Sequence, residues 1–375
     1  MVNFDEFGPE KILEVFDQKT GMHGFTVIDN TSLGPAKGGI RMTPSVTIDE
    51  VAKLARTMTW KCSLADLPFG GGKSGIVADP KKISLEQKMA IINAFSTAIK
   101  PICPSKYIAA PDINTSEKEM EEFVRANGSF RSATGKPSTL CVAPGVKCGI
   151  PHEYGSTGFG VAHSTLVAIE HLKMNIKRTT IAIEGYGNVG AFAAEYLDAF
   201  GAKIISVSDS KGCAYNKDGL DMEKLSKIKK DTGSVTNYKP ASIITNEKLF
   251  ELNVDIIIPS AVPDVINKGN VDKLKCKIVV EAANIPTTPE IEEKMHKNGI
   301  LVVPDFVANA GGVISSYAEY KGENPARMFQ MVEKKIRKNT KLVLEESKKN
   351  KVKPRDAAME IAVNRVRKAT TRENE

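Results

Sequence analysis

The chain has 375 residues, more than one ordinary hydrophobic core serves, so two domains are expected. Hydrophobic content of 41% with 26% charged residues belongs to a globular protein, and no run of 18 apolar residues exists to cross a membrane. The acidic start MVNFDEFGPE lacks the basic-then-apolar order of a signal peptide. The six cysteines (Cys62, Cys103, Cys141, Cys148, Cys213, Cys276) form no C-x-x-C pairs, so the chain reads as reduced and cytoplasmic, with no metal site.

In chain order, residues 1–155 mix short strands with amphipathic helices. Thr47 and Glu50 form a capping box, and Val51, Leu54, Ala55 and Met58 follow at helical spacing. A second helix is expected after Asn114, with Asn114 and Glu117 as its cap pair. From about Lys177 the rhythm changes: TTIAIE, KIISVSD, VDIIIPSA, KIVVEAAN and ILVVPDF are apolar runs alternating with helical stretches such as AFAAEYLDAF. That alternation predicts a parallel, doubly wound sheet over 156–323. Residues 324–375 read as helices packing back on the first domain. From Glu333 to the end, fourteen Lys or Arg stand against seven Asp or Glu, which accounts for the whole net charge of +7. No aromatic residue follows Phe329, so these charges read as a solvated helix face, and nucleic-acid binding is not expected.

Gly185-Tyr186-Gly187-Asn188-Val189-Gly190 matches G-x-G-x-x-G directly after a predicted strand and at the start of a predicted helix. The next strand ends at Asp209, near the spacing at which an acid meets the adenine ribose. Glycines there admit the pyrophosphate to the helix N-terminus. Asp209 favours the diol of NAD, whereas Ser210 and Lys211 suit the 2′-phosphate of NADP, so both cofactors stay open.

Three lysines carry the second signal. Lys37 lies between small residues in GPAKGGIRM. Lys61 continues the apolar face of Val51, Leu54 and Met58, where an ammonium is costly unless an anion meets it. Lys73 stands among glycines in FGGGKSG, and Asp112 ends YIAAPD. Bland readings exist: a turn residue for Lys37, a surface-seeking lysine for Lys61, a helix cap for Asp112. GGGKS is not a P-loop, because that motif needs glycine at 67, which is Leu67. Two lysines as fixed cations, a third with its pKa lowered toward neutrality, and an aspartate suit oxidative deamination of an amino dicarboxylic acid.

These residues resemble the glutamate/leucine/phenylalanine/valine dehydrogenases, and within them the glutamate enzymes. The likeness runs from about residue 25 to 320, through GPAKGGIRM, MTWKCSLADLPFGGGKSGI, APDINT, TGKP, STGFGV, GYGNVG, EAANIPTTPE and VANAGGVISS. The resemblance implies that Lys73 and Asp112 are catalytic and that Lys61 holds the substrate α-carboxylate. It implies that Lys37 and Ser316, with Val313, meet the side-chain carboxylate, where branched-chain members carry apolar residues at the positions of Lys37 and Ser316. Around NAD or NADP it implies Thr157, Gly185, Gly187, Asn188, Val189, Gly190, Asp209, Ser210, Ala261, Asn284 and Asn309. The chain departs from the family in the segment CVAPGVKCGIPHEYGS, in Pro263-Asp264, and in Ile285, where glycine is usual.

The expected protein is therefore a two-domain α/β oxidoreductase. Residues 1–155 would bind substrate and oligomerise, and a Rossmann domain would bind the dinucleotide. It would interconvert glutamate and 2-oxoglutarate with ammonium, as a homo-oligomer of the hexameric kind and with no membrane partner. The alternatives are a branched-chain amino-acid dehydrogenase and a catalytically silent nucleotide-binding subunit.

Overall fold

The computed structural model describes residues 2–373; Met1, Asn374 and Glu375, the last two at the end of the basic segment, lie outside the described residues. The chain divides into two compact units. The first takes the chain up to Tyr154, then Val313–Met331 and everything from Glu360; the second takes Gly155–Gly312 and Val332–Met359. The helices of 324–375 therefore do not return as one block, which corrects the sequence reading: Val332–Met359 belong to the second unit. Arg337 there donates to Glu170 at 2.8 Å, and Ser164 bonds Thr340 at 3.2 Å.

The first unit begins with strands β1 (Lys11–Asp17), β2 (Met22–Asn30) and β3 (Ala36–Thr43), then helix α1 (Ile48–Leu64) and β4 (Gly70–Val77). Helix α2 (Leu85–Ala98), β5 (Tyr107–Pro111), α3 (Glu117–Asn127) and a small hairpin of β6 (Cys141–Ala143) and β7 (Val146–Cys148) complete its first segment. The sheet order is β1-β2-β4-β3-β5, with β3 parallel to both β4 and β5. Alternate residues of a strand face opposite ways. Val27 meets Val51 and Ala55 of α1, while its neighbour Ile28 joins a core with Phe95 of α2 and Phe123 of α3. Truncating either phenylalanine to alanine would cost about 3–5 kcal/mol.

Two helix starts differ from expectation. Thr47 caps α1 by accepting from the Glu50 amide at 3.2 Å, but the Glu50 carboxylate turns to Arg41 rather than back to Thr47. α3 starts at Glu117 behind Ser116, whose N–H and Oγ–H both donate to Glu119. Asn114 sits instead at φ 60° and donates to the Met42 carbonyl.

The second unit opens with α4 (Ser156–His171), β8 (Thr180–Glu184), α5 (Asn188–Ala199), β9 (Lys203–Asp209), β10 (Gly212–Tyr215) and α6 (Met222–Thr232). It continues through β11 (Ser242–Ile244), α7 (Asn246–Leu249), β12 (Ile256–Pro259), β13 (Ile278–Val280), α8 (Pro289–Lys297), β14 (Leu301–Val303) and α9 (Asp305–Ala308). The sheet runs β11-β10-β9-β8-β12-β13-β14. Five strands are parallel, as expected. β10 is antiparallel to β9 because Asp209 pairs with Gly212, and two intervening residues make a hairpin but not a crossover. The reversal of strand order at β8 is where such sheets bind ligands. Three helices close the chain: α10 (Gly311–Lys321), α11 (Pro325–Asn350) and α12 (Pro354–Glu373).

One pair of cysteines is oxidised, contrary to the expectation of a fully reduced chain. Cys141 and Cys148 are joined by a disulfide, while Cys62, Cys103, Cys213 and Cys276 are free and buried. Hairpin register sets the two sulfurs directly opposite each other.

Candidate active site

Lys73 and Asp112 come together. Lys73 is carried on β4 and 7% exposed, and Asp112 follows the last residue of β5. Nζ lies 3.0 Å from the Asp112 Oδ2. β3 runs between the two strands, and a Cβ on Gly39 would lie 2.7 Å from the Asp112 Cβ and 3.3 Å from the Lys73 Nζ. Glycine at 39 therefore lets β3 pass close against the pair, where any side chain would clash. Burial lowers the Lys73 pKa, only partly opposed by Asp112. Burial works against ionisation of Asp112, but Lys73 and Arg41 outweigh it and hold its pKa below the usual carboxylate range.

Arg41 had no role in the sequence reading. Its Nε donates to the same Oδ2 at 2.9 Å, and its Nη1 donates to Glu50 on α1. Two cations and two carboxylates make a balanced network, with Asp112 gripped by a guanidinium and an amine. The available signal was Arg41 four residues after Lys37 on the same strand.

Lys37 is not a turn residue. It is on β3, 1% exposed, and donates to the carbonyls of Ala109 at 2.6 Å and Ile108 at 3.4 Å. Burial pushes its pKa down to about 7, although Cys62 and Glu319 pull the other way. Lys61, in the last turn of α1, is half-buried, so Lys37 and not Lys61 is the more enclosed ammonium. Both are near enough to Cys62 to counter the rise that burial imposes on its thiol. Helix α10 belongs beside Lys37 through Glu319, which pairs with fully buried Lys136 and accepts from the Gly135 amide at 2.7 Å. Phe69 holds the same helix edge-on to Tyr317 and Tyr320, at 5.6 and 5.3 Å. Val313 and Ser316 lie on α10, both buried.

In the second unit the glycine fingerprint forms the β8–α5 turn. Gly185 has φ 91°, Gly187 and Asn188 are exposed, Val189 is half-buried, and a Cβ on Gly190 would lie 1.9 Å from the Gly185 carbonyl oxygen. These residues fit a pyrophosphate, since the first-turn amides of α5 are open to it. Asp209 is more occupied than expected. Its carboxylate accepts from Lys229 Nζ at 2.7 Å, the Val235 amide at 2.8 Å, the Lys211 amide at 2.8 Å and the Ser234 hydroxyl at 3.3 Å. Ser210 beside it is exposed. Ala261 follows β12, its amide donating to Glu184 at 3.1 Å. Asn309 is buried and donates to the Asn284 side chain at 3.0 Å. Thr157 occupies the first turn of α4.

The chain matches the family model for the Glutamate/Leucine/Phenylalanine/Valine dehydrogenases over residues 148–373, and that family's N-terminal dimerisation domain over residues 9–127. It belongs to the glutamate/leucine/phenylalanine/valine dehydrogenase family. It is 41% identical to a glutamate dehydrogenase of Aeropyrum pernix, covering 91% of this chain and 84% of that one. It is 42% identical to an NADP-specific glutamate dehydrogenase of Saccharolobus shibatae, covering 83% and 75% respectively. Among solved structures, the hetero-hexameric glutamate dehydrogenase of Thermus thermophilus in its leucine-bound form matches with a TM-score of 0.85. Identity there is 25%, with 97% of this chain and 90% of that one covered. The chain is an amino-acid dehydrogenase by family.

Arg355 on α12 is a further residue without a sequence signal. It donates to Glu281 at 2.6 Å, to Asp305 at 3.1 Å and to Glu292. Asp305 in turn accepts from the amide of Ile285, next to Asn284. Ile285 sits at φ 52°, the left-handed backbone for which the family's usual glycine is suited.

Proposed function

We propose that the protein is a glutamate dehydrogenase, interconverting L-glutamate with 2-oxoglutarate and ammonia. What carries the reading is the Lys73–Asp112 pair in the same unit as a fully buried Lys37. An ammonium has three N–H donors, and the carbonyls of Ala109 and Ile108 take two of them. A side-chain carboxylate supplies the third partner and the countercharge. A leucine side chain would leave that donor against hydrocarbon, at a cost of about 1–3 kcal/mol.

Lys61 receives the α-carboxylate, Lys37 and Ser316 the γ-carboxylate, and Val313 walls the side chain. Bound NAD(P) supplies the hydride acceptor. Lys73, with its pKa lowered, is the base that takes a proton from the water adding to the substrate imine. Asp112, kept ionised by Arg41, exchanges protons with the leaving nitrogen. The reverse sequence fixes ammonia. The first-turn amides at Asn188 and Val189, with Gly185, Gly187 and Gly190, would hold the pyrophosphate, and Ser210, beside the occupied Asp209, the adenine ribose. Thr157, Ala261, Asn284 and Asn309 would surround the nicotinamide end.

NADP is the preferred cofactor in this reading. Lys229 and the Lys211 and Val235 amides occupy the Asp209 carboxylate, so it neither offers free lone pairs to a ribose diol nor strongly repels a 2′-phosphate. The NADP-specific Saccharolobus relative agrees. We place the enzyme in the cytoplasm as a homo-oligomer, with six subunits as in the hetero-hexameric Thermus assembly, a count that light scattering would read directly.

The decisive experiment follows nicotinamide absorbance with ammonium, NADPH or NADH, and either 2-oxoglutarate or 4-methyl-2-oxopentanoate. Turnover of 2-oxoglutarate, faster with NADPH, is expected. Turnover of the branched acid instead would remove Lys37 and Ser316 from the side-chain pocket, and silence with both would favour a non-catalytic subunit.

A further inference from the structure

The cysteines fall into two classes. Cys62, Cys103, Cys213 and Cys276 are buried, and burial pushes their thiols up to about 12, 12, 11 and 12, which makes them inert to exchange. Cys141 and Cys148 are partly exposed, and all of Val142–Lys147 between them is open to solvent. They face one another across β6 and β7 and are bonded.

The hairpin they close addresses α10 at two places. At its base the Gly149 amide donates to the Leu140 carbonyl at 3.0 Å, and Gly149 packs on the carbonyls of Lys136 and Pro137. Lys136 is the buried partner of Glu319 on α10. On its returning arm Lys147, at φ 50°, lays its stem on Gly322, just past the end of α10. A Cβ there would come within 2.5 Å of the Lys147 Cγ.

We propose that Cys141 and Cys148 are a reversible thiol–disulfide site, exchanged by dithiols and disulfides in solution, whose state sets how firmly α10 is held. A thiolate of a dithiol attacks one sulfur, the S–S bond breaks, and the other sulfur leaves as a thiolate and takes a proton. The dithiol's second thiolate then displaces the first sulfur, which is protonated in turn. Two electrons and two protons pass to the cysteine pair, and the dithiol leaves as a cyclic disulfide. A small-molecule disulfide runs the exchange backwards and departs as two thiols. Strands of three residues are marginal without a covalent tie, so reduction frees the arm that seats Lys147. Because α10 carries Val313 and Ser316, the kinetic consequence, which rests on the function proposed above, is weaker binding of the substrate side chain.

The test uses the full chain, oxidised with a small disulfide or reduced with dithiothreitol. Native alkylation read by intact mass should modify neither cysteine in the oxidised protein and both Cys141 and Cys148 in the reduced one. Tryptic cleavage after Lys147 should be several-fold faster on reduction. The KM for 2-oxoglutarate should rise roughly threefold to tenfold with kcat nearly unchanged. A Cys141→Ser, Cys148→Ser double variant should match the reduced protein and ignore redox treatment. Alkylation of either cysteine after oxidation overturns the site, and identical KM values in both states overturn its coupling to α10. Failure to turn over 2-oxoglutarate would count against the function proposed above alone, because labelling and proteolysis do not depend on it.

Discussion

Each unit contains an arginine set among carboxylates, and the two clusters do opposite things. In the first unit Arg41 and Lys73 meet Asp112 and Glu50, two cations against two anions, with Gly39 of β3 close against the pair. In the second, one arginine, Arg355, meets Glu281, Glu292 and Asp305, and all three carboxylates are buried. Burial pushes Glu281 up to about 8 despite Arg355, because Asp305 and Glu292 repel its charge. Both clusters hold strongly perturbed groups, yet only the first is charge-balanced with carboxylates that reach solvent, the Asp112 and Glu50 side chains being 23% and 38% exposed. A shifted pKa points to chemistry only when a reactant can reach it; a sealed cluster with excess carboxylate is a structural joint.

Substitutions at the two clusters should have different consequences. The largest expected effect is at the open cluster: Lys73→Ala should lower kcat by about a thousandfold or more, with melting temperature little changed. Wild-type activity in that variant would remove the assigned base. At the sealed cluster Arg355→Met should instead act on stability. It strands the buried acidic groups of Glu281, Glu292 and Asp305, at roughly 3–5 kcal/mol, and melting temperature should fall by about ten degrees. Because Asp305 holds the Ile285 amide, the KM for the dinucleotide should rise as well, with Arg355→Lys recovering only part of either loss.

A pH experiment sharpens the same contrast. Glutamate in the unfolded chain titrates near 4.5, below the value of about 8 for Glu281 in the fold. The folded state therefore binds the extra proton. That contribution is fully present below 4.5 and is lost as pH rises through about 8. Glu281→Gln, which keeps the neutral shape, should flatten the decline of melting temperature across that window. The smallest effect belongs to the adjacent loop. Ile285→Gly relieves a β-branched residue at φ 52°, and a gain of about 1 kcal/mol should raise melting temperature by roughly 2–4 °C. No gain would mean that the loop tolerates the strain.

Much of the candidate site was legible as sequence pattern because its residues lie in short local stretches. The glycines around Lys73 and the fingerprint at Gly185 impose backbone approach within a few residues, and periodicity alone separated the parallel sheet from the first unit. What escaped were partners distant in sequence. Glu50 reads as the far half of a capping box with Thr47, a local bond, until Arg41 on the neighbouring strand offers a charged partner. Asp209 reads as a free ribose acceptor until Lys229, twenty residues on, occupies it. Cys141 and Cys148 did carry a signal, since they are symmetric about Pro144-Gly145, but hairpin pairing rather than C-x-x-C spacing was the pattern to look for.

Backbone sterics and hydrophobic period act over a few residues, so the alternation of the parallel sheet, the glycine turn at Gly185 and the residue types of an amino-acid dehydrogenase follow from chain order. Only the tertiary structure decided which carboxylate each arginine holds, that Lys37 is the most enclosed of the three lysines, and that the last helices are divided between both units. Those outcomes depend on burial and on Coulomb interactions between groups that folding, not chain order, makes neighbours.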